Sequence, residues 1–202
     1  PLKDADPETI ANWPMPDPDD YDYEEGAALC EKYPDKFWAL GSPGVGDFMN
    51  SSGMLMGVEQ VLFQMADRDD ALFALWDRRL AAQLGILERA IDACKGAIDL
   101  VWIGEDLGTQ IAPLISLDMY RELLRPRHQK LVDLAKACGL PVMVHSCGSS
   151  SWAFEDFIEM GIRVVDTLQP EATNMAPEYL KEHFGGRLAF HGCISTAGPV
   201  AS

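Results

Sequence analysis

The segment Val142-Met143-Val144-His145-Ser146-Cys147-Gly148 holds the strongest chemical signal in the chain. An apolar run closes in His-x-Cys-Gly. Side chains alternate faces along a strand, so residues two apart share one side. His145 and Cys147 would then point together from the end of a buried strand. An imidazole and a thiol so placed make half a site for a borderline metal such as zinc. The pattern recurs at His191-Gly192-Cys193, after the apolar run Leu188-Ala189-Phe190. Two strands separated by one other in a sheet lie about 10 Å apart at the backbone, close enough for side chains on one face to meet on one ion. Cys193 is therefore either a third ligand or a reduced thiol lining the same mouth. A closed set of His145, Cys147, His191 and Cys193 would instead be structural, because catalytic zinc keeps an open position.

Other polar residues follow apolar runs in the same way. Ile98–Ile103 reads as a strand and leads into Gly104-Glu105-Asp106-Leu107-Gly108-Thr109-Gln110. Glu105 and Asp106 are adjacent, so on an extended chain only one can face the mouth. Asp106 is the stronger candidate for a general base, a support for a ligand or a substrate anchor. Glu105 is the weaker one, and Gln110 a possible substrate contact. The competing reading of Asp106 is a turn aspartate bonded to nearby backbone. Gln169, beside Pro170, can donate to and accept from a substrate. His191 can bind substrate or carry a proton. Asp166 lies inside a strand, where a buried carboxylate needs a partner, naturally an Arg or His on the same face of the sheet. Tyr120 suits a helix core, whereas His128 and His183 suit solvated helix faces.

The elements that would position these groups alternate. Residues 1–26 mix Pro and Asp and read as an extended, solvated connector ahead of the domain at 27–202. Phe37–Gly41 is a weak strand, and Gly41–Gly57 a loop leading to a short helix. Asp70 to about Cys94 carries apolar residues at helical spacing. Ser116 can cap a helix that runs to Cys138, with a kink at Pro126 and a stop at Gly139. Strands at 141–145, 162–168 and 188–193 alternate with helices at 152–160 and 176–184. Such an order predicts a parallel sheet covered by helices. Sites in these folds sit beyond the strands' C-terminal ends. At most five strands are visible, whereas a closed eight-stranded barrel usually takes about 250 residues. The expectation is a piece of a longer protein, cut at both ends. Two open sheet edges predict that this piece alone aggregates or stays partly unfolded.

The 202 residues carry a formal charge of −16. A surface this acidic disfavours nucleic acid and anionic membranes. No run approaches the roughly 20 apolar residues of a membrane span. The five cysteines are irregularly spaced, unlike a secreted disulfide framework, which points to a reducing cytoplasm. Cys30, Cys94 and Cys138 read as small buried hydrophobes.

The segments "VWIGEDLGTQ", "PLISLDMYRELLRPRHQKLVDLA", "VMVHSCGS", "DTLQPEATNMAPEYLKEHFGGRLAFHGCIST" and "WPMPDPDDYDYE" resemble the uroporphyrinogen decarboxylase superfamily. They are most similar to its branch of methylcobalamin:coenzyme M methyltransferases. The resemblance implies a TIM (β/α)8 barrel, of which strands three to seven would be present. It also implies zinc bound by His145 and Cys147, methylcobalamin or another corrinoid as methyl carrier, and a thiol or similar small-molecule acceptor. A corrinoid protein and a second copy of the chain are possible partners. In that branch a cysteine after the eighth strand completes the zinc site, so the third ligand here is Cys193 or a residue beyond Ser202. The alternative chemistry is metal-free decarboxylation of a porphyrinogen, with Asp106 or another mouth carboxylate stabilising the protonated pyrrole. Against it, the decarboxylases' arginine-bearing N-terminal segment is absent and their fifth strand lacks His-x-Cys-Gly. A third possibility is corrinoid or tetrapyrrole binding without catalysis.

Overall fold

The computed structural model describes residues 1–195. Five strands form one parallel sheet in sequential order: β1 (Ala39–Gly41), β2 (Leu100–Gly104), β3 (Val142–His145), β4 (Val164–Thr167) and β5 (Ala189–Gly192). Sequential order without reversal separates this sheet from doubly wound folds, whose order switches midway. The arrangement is consistent with part of a (β/α)8 barrel and is not closed. β1 and β5 are its edges, and every residue of β5 is exposed.

The helices are α1 (Pro7–Ala11), α2 (Tyr23–Lys32), α3 (Met49–Met56), α4 (Val58–Asp67), α5 (Asp70–Ala93), α6 (Leu117–Met119), α7 (Arg125–Ala137), α8 (Phe154–Met160) and α9 (Pro177–Phe184). None is long and apolar enough to cross a membrane among the described residues. Asp69 caps α5 by accepting from the Leu72 amide, and its apolar stripe (Leu72, Leu75, Trp76, Leu80, Leu87) is buried. Ser116 caps α6 as expected. The kink expected at Pro126 is instead a π-helical stretch at Tyr120–Leu124, just before α7, with the proline in that helix's first turn. The helix runs on through this point, with the Arg125 amide reaching the Tyr120 carbonyl five residues back, and the local widening sits where the proline has no amide to donate.

Three expectations need correction. Residues 1–26 are not simply extended. Asp6 caps α1 and Asp22 caps α2, while Leu2 and Ile10 are buried in the core. Two apolar anchors dock a segment that its prolines and acids alone would leave in solvent. His128 is also buried, at 2% exposure, because α7 turns it under the β1–α3 loop. Its Nε2 lies 2.9 Å from the Gly46 carbonyl, and its ring stacks on Phe48. Finally, Cys138 is exposed and Cys94 only partly buried; of these helix cysteines only Cys30 is in the interior.

Candidate metal centre

Sheet register sets up the site. Gly104 pairs with His145, His145 with Asp166, and Asp166 with His191. One row across the C-terminal ends of β2 to β5 thus carries an imidazole, a carboxylate and a second imidazole. Asp166 bridges the two rings. Its Oδ2 is 3.0 Å from His145 Nδ1, and its Oδ1 is 2.6 Å from His191 Nδ1. The Asp166 side chain is 7% exposed. Burial alone would raise its pKa, but hydrogen bonds from His191, His145 and Thr167 outweigh burial and hold it below the usual carboxylate value. The partner expected for a strand-interior aspartate is therefore two histidines.

The Thr167 hydroxyl lies 2.6 Å from His145 Nδ1 and donates to Asp166 Oδ2 at 3.1 Å. Thr167 adopts φ of 78°, unusual for a β-branched residue. That turn of the chain swings the hydroxyl onto the His145–Asp166 pair. With Nδ1–H donating to the Asp166 carboxylate, Nε2 presents its lone pair. Nε2 faces Cys147 Sγ at 3.4 Å and Asp106 Oδ1 at 3.5 Å.

The loop after β2 supplies Asp106. Its Oδ1 accepts the Cys147 amide at 2.7 Å, which fixes the carboxylate beside the thiol. Two glycines allow the loops to meet. A Cβ on Gly148, at φ of 71°, would fall 2.2 Å from the Gly108 carbonyl oxygen. A Cβ on Gly108 would fall 2.4 Å from that of Ser149. Gln169 Oε1 accepts both the Gly148 amide at 2.7 Å and the Gln110 side-chain amide at 2.9 Å. Gln110 and Gln169 thus tie together the loops following β2, β3 and β4.

Asp106, His145 and Cys147 offer one donor atom each, all within 4.8 Å of one another. Zinc distances of about 2.1 Å to N or O and 2.3 Å to S, at tetrahedral angles, give donor–donor edges of about 3.4–3.6 Å. The two edges at Nε2, 3.4 Å to Sγ and 3.5 Å to Oδ1, match, and the third donor pair also lies within 4.8 Å. The donor set suits zinc, and the Asp166 support of His145 is the arrangement that orients metal-bound histidines. Burial, then the Asp106 carboxylate and Asp166, push the Cys147 thiol up to about 12. A cation among these groups would reverse that field.

Cys193 is not in this cluster. Period-two alternation would have put it beside His191, but β5 ends at Gly192. Gly192 (φ 104°) and Cys193 (φ 64°) then leave the extended region, and the side chain packs against the core. Burial, followed by the charges of Glu171 and Glu178, raises its thiol pKa. The closed His2Cys2 set is not assembled either, since Cys193 is apart and the His191 side chain is 70% exposed.

Glu105 points away from the mouth and is 1% exposed. Its carboxylate accepts the Phe48 and Met49 amides at 2.8 and 3.2 Å and the Asn50 side-chain amide at 2.8 Å. Burial, and next the Asp47 carboxylate, raise its pKa well above the usual range, although the backbone donors pull the other way. Glu105 is thus a floor beneath the site that caps the entry to α3. Asp47 and Asn50, which complete this network, have no motif to announce them. Thr167 had one available signal: it directly follows the strand aspartate.

No family model matches the chain, and no curated protein matches it significantly. Among solved structures, a methyltransferase from Methanosarcina mazei superposes with a TM-score of 0.48 at 17% identity. The match covers 86% of this chain and 58% of that one.

Proposed function

We propose that the chain binds zinc through Asp106, His145 and Cys147 and serves an enzyme that transfers a methyl group to a thiol. The observation that carries this reading is the mixed O, N and S cluster at the strands' C-terminal ends, whose two edges at His145 Nε2 have the length of zinc-site edges. Three protein ligands leave one position open, as catalytic zinc sites do. Zinc bound there would supply Lewis acidity, lowering the pKa of an acceptor thiol at neutral pH.

The protein's own groups have separate tasks. Asp166 and Thr167 hold the His145 ring and its tautomer. The Cys147 amide holds Asp106. His191, fixed by Asp166 and open to solvent, is assigned the acceptor's proton. Gln110 and Gln169 keep the loops of the mouth in place and border the space for a small substrate. The wider assignment rests on the sequence resemblance: a uroporphyrinogen decarboxylase-type barrel, a corrinoid as methyl carrier, delivery by a corrinoid protein, and pairing of two copies.

Metal content after anaerobic purification tests the reading. About one zinc per chain is expected in the parent and little in His145→Ala or Cys147→Ser. A parent that holds no zinc even when supplied with it overturns the proposal and directs attention to decarboxylation.

A further inference from the structure

A second thiol site lies at the other end of the sheet. Cys30, near the end of α2, and Cys94, at the C-cap of α5, place their sulfurs 3.9 Å apart although 64 residues separate them. Both line a cavity of about 410 Å³ with Trp38 and Asp99. Those two residues just precede β1 and β2, so the cavity opens at the strands' N-terminal ends, away from the metal centre. Cys30 is 5% exposed; Cys94 is more open.

We propose that Cys30 and Cys94 form a reversible disulfide that latches α2 to the end of α5, with glutathione disulfide as oxidant. A disulfide needs sulfurs about 2.05 Å apart. Closing the present gap takes a movement of about 2 Å, shared between two side chains and the turn after α5. That turn contains two consecutive positive-φ residues, Lys95 (48°) and Gly96 (86°), and ends the helix rather than continuing it. The Cys94 amide itself stays bonded to the Ala90 carbonyl at 3.1 Å, so most of the movement falls on the two side chains.

The exchange balances as follows. Cys94, the more accessible thiol, loses its proton to water and attacks one sulfur of glutathione disulfide. The S–S bond breaks and releases one glutathione thiolate, leaving a mixed disulfide on Cys94. Cys30 then gives up its proton, attacks Cys94 Sγ and expels the second glutathione. Two electrons and two protons pass from the protein thiols to yield two glutathione molecules. Burial and the neighbouring Cys30 raise the Cys94 thiol pKa, so the first step accelerates with rising pH.

The test uses the reduced, intact protein in glutathione redox buffers, with free thiols blocked before denaturation and the digest mapped by mass spectrometry. A Cys30–Cys94 cross-linked peptide is expected. An intramolecular disulfide depends on [GSSG]/[GSH]², so diluting total glutathione tenfold at fixed ratio should raise the oxidised-to-reduced ratio about tenfold. Cys30→Ala should stop at the Cys94 mixed disulfide, and Cys94→Ala should give no cross-link. The proposal is overturned if both thiols remain blockable in excess glutathione disulfide. Persistence of a Cys94 mixed disulfide beside free Cys30 in the parent also overturns it. Peptide mapping separates this outcome from oxidation of Cys147, so it stands or falls independently of the metal centre.

Discussion

His128 should make stability fall with acid in a window set by its burial. Desolvation is the largest cause that lowers its pKa, to about 4 from an ordinary 6.5. The Gly46 contact and Asp47 oppose that shift without overcoming it, and Arg127 adds to it. Below pH 6.5 the unfolded chain takes up a proton that the folded chain refuses, so stability rises with pH across the window. The stabilisation is fully present above 6.5 and is lost as pH falls toward 4. The difference of about 2.5 pK units corresponds to roughly 3 kcal/mol over the whole window. Between pH 7 and pH 5 the same two values give about 2 kcal/mol. The assay is urea unfolding at several pH values, compared with His128→Gln. The variant loses packing on Phe48 and Tyr120 and should start less stable, but its profile should be flatter by about 2 kcal/mol between pH 7 and 5. Glu105, with its raised pKa, contributes in the opposite sense and remains in both proteins. Parallel profiles would show that His128 is protonated in the fold and would refute the reasoning.

Asp166→Asn keeps the shape but removes the charge that orients His145, and should weaken zinc binding about 10- to 100-fold in a competitive chelator titration. Unchanged affinity would mean that Thr167 alone sets the ring. Cys193→Ala should leave zinc stoichiometry as in the parent, while Asp106→Ala lowers zinc affinity; the reverse pattern would restore Cys193 as third ligand. Gly148→Ala meets both a left-handed φ and the Gly108 carbonyl, so it should destabilise the protein by more than about 1 kcal/mol and reduce bound zinc, measured by thermal unfolding and metal analysis. Glu105→Ala, which leaves the Phe48 and Met49 amides unpaired, should cost about 1–3 kcal/mol in stability before any effect on metal affinity.

Local periodicity carried much of the site. Two-residue spacing predicted that His145 and Cys147 share a side, and their Sγ and Nε2 are 3.4 Å apart, although β3 ends at His145 and the Asp106 carboxylate holds the Cys147 backbone there. Alternation also separated Glu105 from Asp106, which face opposite ways. The five strands and the long helix at 70–93 were visible because apolar spacing reports which face a segment buries. The short helix expected after Gly57 is α4, whereas α3 at 49–56 lies inside the stretch read as a loop, because its Asn, two Ser and Gly are residues that favour turns. Beyond the single segment, periodicity is silent. Alternation extrapolated past Gly192 gave Cys193 the wrong side, because two residues of positive φ end the strand there. Sheet register aligned His145, Asp166 and His191, and loop contact at Gly108 and Gly148 brought Asp106 to the thiol. Residue types and their spacing along one strand are local properties, so the sequence determined which donors existed and two of those that would meet. Which third donor joined them, and which histidine was buried, depended on groups 41 to 82 residues away, and only the packed tertiary structure brings those together.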